Sequence, residues 1–169
     1  MNKEAVLIET LTSVENHLDA LSDLLIKVVD QGASVGFLPP LHEDEAVSYW
    51  KSVINPDTLL FVARLEGQLA GTVQLQFASK ANGRHRAEIA KLMTHPNFRR
   101  LGVAQSLMKA AEGAAKEDGR TLLVLDTRDG DPSNQLYVGL GYEFAGQIPN
   151  YARSANGDTH PTNFYYKNL

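Results

Sequence analysis

A chain of 169 residues, 43% hydrophobic and 21% charged, has the make-up of one globular domain that buries its core without covalent staples. Its formal charge of −4 argues against a dedicated nucleic-acid binder, and the lack of cysteine excludes disulfides, thiolate metal sites and cysteine nucleophiles. The opening Met-Asn-Lys-Glu-Ala lacks the order of a secretory leader and no apolar run approaches membrane-spanning length, so a cytoplasmic protein without membrane partners is expected.

Val6 to Leu11 reads as a first strand. From Ser13 to Val29, apolar residues recur at Val14, Leu18, Leu21, Leu25 and Val28, the spacing of one helical face. Gly32 to Pro40 breaks that helix with a loop that is flexible at its glycines and stiff at its prolines. A second helix is predicted from about Glu43 to Val53, with three acids in the first turn where the helix dipole favours them. Asn55-Pro56-Asp57 ends it. Strands follow at Leu59–Leu65 and Gly71–Ala78, joined by the hairpin signal Glu66-Gly67-Gln68. A polar loop over Lys80–Arg86 leads to a strand over Ala87–Thr94. A third helix begins near Val103, carries Val103, Leu107, Ala111 and Ala114 on one face and stops at Asp118-Gly119. Leu122-Leu123-Val124-Leu125 is a continuous apolar run, as expected of a strand covered on both faces and paired in parallel. Asp131-Pro132 predicts a short helix, aspartate as cap and proline in its first turn, ending near Gly139 or Gly141. Tyr142–Ile148 and Thr162–Lys167 read as closing strands around a polar loop, Pro149–Pro161. The sum is a single α/β (α+β) domain over residues 1–169, with a mixed sheet of about seven strands and helices on both faces.

The segment from Ala87 to Asp126 has the form of a right-handed parallel crossover, strand to glycine turn to helix to strand. Ligands of such sheets bind beyond the carboxyl ends of the strands. Leu92, Met93, Thr94, Asp126 and the turn Arg99-Arg100-Leu101-Gly102-Val103-Ala104 are therefore expected around one crevice. A glycine at the mouth of a helix lets the backbone approach a ligand, and the first-turn N–H groups point outward. With the helix dipole and two arginines beside them, they make a socket for a phosphate or pyrophosphate. An ordinary strand-to-helix loop is the alternative.

The whole pattern resembles the GCN5-related N-acetyltransferase (GNAT) superfamily. The element order matches, Arg99-x-x-Gly102-x-Ala104 matches the Gln/Arg-x-x-Gly-x-Gly/Ala signature, and Leu136-Tyr137-x-x-x-Gly141-Tyr142 resembles its closing Tyr-x-x-x-Gly-Phe segment. Within the superfamily the tabtoxin-resistance type is similar over Gly32–Phe37, Arg86–Met93, Leu125-Asp126-Thr127 and His160-Pro161-Thr162, the N-terminal helix matching least. The resemblance implies acetyl-CoA as co-substrate with no metal, a diphosphate held by the backbone of Arg100 to Gln105, and pantetheine laid along Leu92-Met93-Thr94 like an added strand. The acceptor it implies is the amine of a small toxin, antibiotic or amino-acid-like metabolite, which makes toxin resistance the expected role. Asn134 matches a residue that often touches the cofactor arm; helping to cap its helix is the other reading.

Amine acetylation needs a neutral nucleophile. A lysine-like amine, pKa about 10.4, costs roughly 4–5 kcal/mol to deprotonate at pH 7, and a positioned carboxylate supplies part of that. Glu88 lies on the strand entering the crevice, on a face shared with Ala90 and Leu92 if alternation holds. It also precedes Arg99 by the interval of the base glutamate in the histone-modifying branch of the superfamily. A structural ion pair with Arg84, Arg86 or Lys91 is the competing role. Asp126 is a second candidate base, or a holder of the cationic amine, unless it merely begins the turn Thr127-Arg128-Asp129-Gly130. Tyr137 is expected by the resemblance to protonate the departing thiolate, phenol and thiol pKa values of about 10 and 8.5 being close enough for transfer; otherwise it is a core aromatic. Asn134 and Tyr137 share a helical face.

Ser34, Phe37 and Tyr151 are candidate acceptor-side residues. Tyr49 and Trp50 read as helix packing, and His95-Pro96 as the shaper of the turn before the glycine loop; the five histidines show no metal-ligand spacing. Direct acetyl transfer in a ternary complex to a small-molecule amine, by a monomer or homodimer, is the leading expectation. A protein or peptide N-acetyltransferase is the enzymatic alternative and a non-catalytic acyl-CoA sensor the alternative of another class. A dinucleotide oxidoreductase is disfavoured, since the glycine turn follows the fourth strand and holds a single glycine.

Overall fold

Strands β1 (Leu7–Leu11), β2 (Thr58–Leu65), β3 (Gln68–Phe77), β4 (Arg86–Thr94), β5 (Leu122–Arg128), β6 (Glu143–Arg153) and β7 (Thr159–Asn168) form one sheet in the order β1-β2-β3-β4-β5-β7-β6. Helices α1 (Leu18–Asp30), α2 (Glu43–Lys51), α3 (Val103–Glu117) and α4 (Ser133–Gly139) complete the computed structural model, which describes residues 5–169. Residues 1–4, on which the reading of a leaderless start rests, lie outside the described residues.

Alternation along β2 divides the core. Leu60 and Val62 pack under α1 and α2 with Leu21, Leu25 and Trp50, whereas Phe61 and Ala63 meet Leu107, Met108 and Ala111 of α3 on the opposite face. The β2–β3 connection is a two-residue turn, not three: Glu66 and Gly67 both take positive φ, as a type I′ turn demands, and Gln68 already pairs with Leu65. The first helix starts later than its periodicity predicts. The hydroxyl of Ser13 accepts from the N–H of Glu15, and a 3-10 turn over Glu15–His17 precedes α1.

Three further expectations are corrected. The Leu122–Leu125 run is not covered on both faces: Leu123 and Leu125 are buried but Leu122 and Val124 only half-buried, because α3 covers one face of β5 while the core under α1 and α2 contains no β5 residue. The loop Pro149–Pro161 shrinks to residues 154–158, since Ala152 pairs with His160 and Arg153 with Thr159 across a long β6–β7 hairpin. The Asp131 side chain does not cap α4. Pro132 holds the cap position, and the Asp131 carboxylate is taken by Arg128 at 2.9 Å.

β4 and β5 pair in parallel, as the crossover requires, but only through Arg86–Leu122, Ala87–Leu123 and Glu88–Val124. Beyond Glu88 they part. On its other side β4 bulges against β3, with Lys91 and Leu92 opposite the single residue Val73 and Lys91 at φ +55°. The bulge reverses the alternation: Ala87 and Ile89 face α3, while Met93 enters the core beneath α1 and α2. Leu92 packs toward the α3 side, so it does not share a face with Glu88 as strict alternation predicts.

Candidate active site

Where β4 and β5 part there is a cavity of about 500 Å³. Glu88, Lys91 and Leu92 line it from β4, Asp126 from β5 and Tyr137 from α4, while Ser34 and Tyr151 close its far side from the α1–α2 loop and β6. Two chemistries meet here, carboxylates on the strands and a phenol on the helix.

Glu88 keeps solvent contact, yet its partial loss of water, and secondly the charge of Asp126, push its carboxyl above the ordinary glutamate range; Arg86 and Lys91 offset part of this. Among the described residues it forms no ion pair, so the expected alternative of a salt bridge to Arg84, Arg86 or Lys91 is not realised. Asp126 sits within β5, paired with Phe164, rather than opening the following turn. Its Oδ2 accepts from the hydroxyl of Thr162 at 2.9 Å. Tyr137 is 5% exposed, packed edge-on to Tyr142 and tilted against Tyr165, and burial and then Asp126 drive its phenol far above the usual tyrosine value. The shift runs away from the expected closeness of phenol and thiol. A phenol shifted in this direction is a weaker proton donor than a free one, so full proton transfer to a thiolate is harder.

Lys91, which from sequence reads only as a possible ion-pair partner of Glu88, is central here. Its Nζ donates to the carbonyl of Val35 at 2.6 Å, strapping the α1–α2 loop to the bulge of β4. Burial lowers its pKa, while Asp126 and Glu88 counter that. Gly36 makes the strap possible: it takes φ +92°, and a Cβ at this position would stand only 2.9 Å from Nζ. The bulge hides this role from any period-two reading, although Lys91 lies in the Arg86–Met93 segment that carries the resemblance. Gln76 is a second unexpected lining residue, continuing through Gln74 to the Tyr49 hydroxyl. Tyr49 and Trp50 are packing residues, Trp50 fully buried.

The glycine turn lies outside the cavity lining, at the start of α3. Gly102 takes φ +83° as the residue before the helix, and the N–H groups of Val103, Ala104 and Gln105 find no backbone or side-chain acceptor among the described residues. Arg99, Arg100 and Leu101 are exposed around them, and the Val103 side chain is buried, leaving only its backbone to meet a ligand. His95 shapes the approach, its Nδ1 accepting from the N–H of Asn97. Met93 and Thr94 pair with Thr72 and Gly71 on one edge, while the other edge of β4 carries no strand beyond Glu88. Free amides at a helix start outside the cavity lining, and an unpaired strand edge that lines the cavity as far as Leu92, suit a long molecule with a diphosphate and an amide-bearing arm.

Asn134 is engaged within the protein. Its Nδ2 donates to the carbonyls of Arg128 and Asp131, and its Oδ1 accepts from Asn163 and Tyr165. It therefore ties α4 to β7 rather than capping free N–H groups. Phe37 lines an adjoining hollow with Ser34 and packs on Tyr49. No group of three or more potential metal-binding side chains occurs among the described residues.

A model of the Acetyltransferase (GNAT) family matches residues 27–142, more than half of the chain. The chain belongs to the GNAT acetyltransferase family. An uncharacterized N-acetyltransferase from the hisH-hisA intergenic region of Azospirillum brasilense is 33% identical over 125 residues, covering 72% of this chain and 73% of its own. The ribosomal-protein-alanine N-acetyltransferase from Brucella melitensis superposes with a TM-score of 0.81 at 21% identity, over 96% of this chain and 99% of that one. A Salmonella typhimurium protein solved with its cofactor acetyl-CoA reaches a TM-score of 0.81 at 16% identity, over 98% and 94%. This GNAT protein is an acetyl-CoA-dependent acetyltransferase, and its seven-stranded mixed sheet is the fold those structures share.

Proposed function

We propose that this GNAT enzyme acetylates the primary amine of a small molecule by direct transfer, in a cavity that gathers its own base and hydrogen-bond donor. The observation that carries the reading is that Glu88, Asp126 and Tyr137, from three different elements, line one hollow of about 500 Å³, a volume typical of small-molecule sites. Acetyl-CoA supplies an activated acetyl thioester when bound. The N–H groups of Val103, Ala104 and Gln105 hold its diphosphate, and the open edge of β4 beside Leu92 receives its arm. Asp126 attracts the ammonium form of the acceptor. Glu88, its basicity raised by its surroundings, takes the proton and frees the nitrogen lone pair. As the C–N bond forms and the C–S bond breaks, Tyr137 donates a hydrogen bond to the departing sulfur, which takes up the second proton shed by the nitrogen and leaves as the thiol. The resemblance to the tabtoxin-resistance type supports a toxin-like or amino-acid-like acceptor and a role in resistance.

The test is release of free CoA thiol on mixing enzyme, acetyl-CoA and a panel of aliphatic amines, amino-acid-like compounds and short peptides. Turnover of small amines well above that of peptides is expected. Preference for peptides would replace this reading with a protein N-acetyltransferase, and binding without turnover of any acceptor would make the chain a sensor.

A further inference from the structure

A second hollow of about 250 Å³ adjoins the active-site cavity and shares Ala33, Ser34, Gly36, Arg128 and Ala152 with it. The charge changes sign between the two. The first holds Glu88, Asp126 and Asp131 beside two cations, Lys91 and the shared Arg128, whereas the charged side chains lining the second are Arg128 and Arg153, above apolar Val29, Phe37, Leu38 and Pro39. Arg128 gives one side of its guanidinium to Asp131 and reaches Ser154 with Nη1 at 3.5 Å. Arg153 forms no ion pair among the described residues; its Nη1 donates to the carbonyl of Gly157 at 3.1 Å, leaving other N–H donors of its fork for a ligand. Both walls are built in advance. The strap from Lys91 to Val35 holds the α1–α2 loop, and a tight turn fixes the end of β6, where the N–H of Ser154 donates to Asp158 and that of Gly157 to Ser154.

We propose that this second hollow is a distal subsite of the acceptor, so that the preferred acceptors are primary amines whose far end, beyond a short apolar segment, is a carboxylate or phosphonate. The amine lies between Glu88 and Asp126, the apolar segment passes Phe37 and Leu38, and the anion meets Arg128 and Arg153. A guanidinium fork matches either oxyanion. The proposal rests on the small-molecule reading above and narrows it.

The experiment compares kcat/KM, by thiol release, for ω-amino carboxylates of three to six carbons, ω-aminoalkyl phosphonates, alkylamines of equal length and diamines, with short peptides alongside. At least one anionic series should exceed the alkylamines by roughly tenfold or more, and Arg153→Ala should collapse that ratio by about the same factor. Arg153→Lys should recover part of it, and Arg153→Glu should turn the preference toward diamines, with circular dichroism confirming that each variant folds. Alkylamines or diamines matching the acids, or a ratio untouched by Arg153→Ala, would remove the subsite while leaving the small-molecule reading in place. Turnover of peptides with none of the amines would remove both.

Discussion

Glu88, Lys91 and Asp126 line one cavity from β4 and β5, and each neighbour moves the protonation of Glu88 in a known direction. Asp126 raises it and Lys91 lowers it. With Glu88 as the proposed base, which works only when ionised, kcat/KM should climb with pH as Glu88 loses its proton. Asp126→Asn should therefore move that acidic limb to lower pH, and Lys91→Met should move it to higher pH. Glu88→Gln should remove the limb and cost about a hundredfold or more in rate. The pH–kcat/KM profiles of the three variants check this. If Asp126→Asn abolishes the limb while Glu88→Gln keeps it, the base is Asp126. Position 88 is readable from sequence because it precedes the bulge. The role of Lys91 is not, because one extra residue reverses every later side chain of the strand and no periodicity announces it.

At the scale of elements, the start of α3 depends on Gly71 of β3. A Cβ there would stand 2.5 Å from the carbonyl of Met93 and 2.9 Å from Cγ1 of Val103. Gly71 thus lets the first residue of α3 press onto the sheet and aims its free N–H groups. Gly71→Ala should cost about 1–3 kcal/mol by overpacking, lowering Tm by roughly 2–4 °C per kcal/mol, and should weaken acetyl-CoA binding together with stability. Thermal unfolding and titration calorimetry read the two effects; an unchanged Tm would show that the helix start yields without cost. The helices and the crossover are legible in the sequence because a buried stripe imposes a 3.6-residue period and because the glycine turn before α3 and the apolar run of β5 frame the crossover, although β5 is buried on one face only. β6 is legible only in part, for it is an edge strand exposed along nearly its whole length, with Asn150 at positive φ within an irregular stretch, so it shows no alternation. Asp131 misleads for a local reason: Arg128, three residues earlier, outcompetes backbone N–H groups for its carboxylate.

Across the whole molecule, the sheet is a device for splitting. Paired through Glu88 and open beyond it, β4 and β5 bring the carboxylates of Glu88 and Asp126 to one cavity with the buried phenol of Tyr137, while α3 presents unpaired amides at the end of β4. The gathering of Glu88, Asp126 and Tyr137 follows from the crossover and the two motifs. The arginines of the second hollow could not be read ahead, because they come from the ends of β5 and β6, which only the closing hairpin brings together. The most direct measurement is a crystal structure of the chain with a stable thioether analogue of acetyl-CoA. The diphosphate is predicted within hydrogen-bond distance of the N–H groups of Val103, Ala104 and Gln105, with the sulfur between β4 and β5 near Tyr137. A diphosphate bound away from the start of α3, or a sulfur far from Glu88 and Tyr137, would contradict the account.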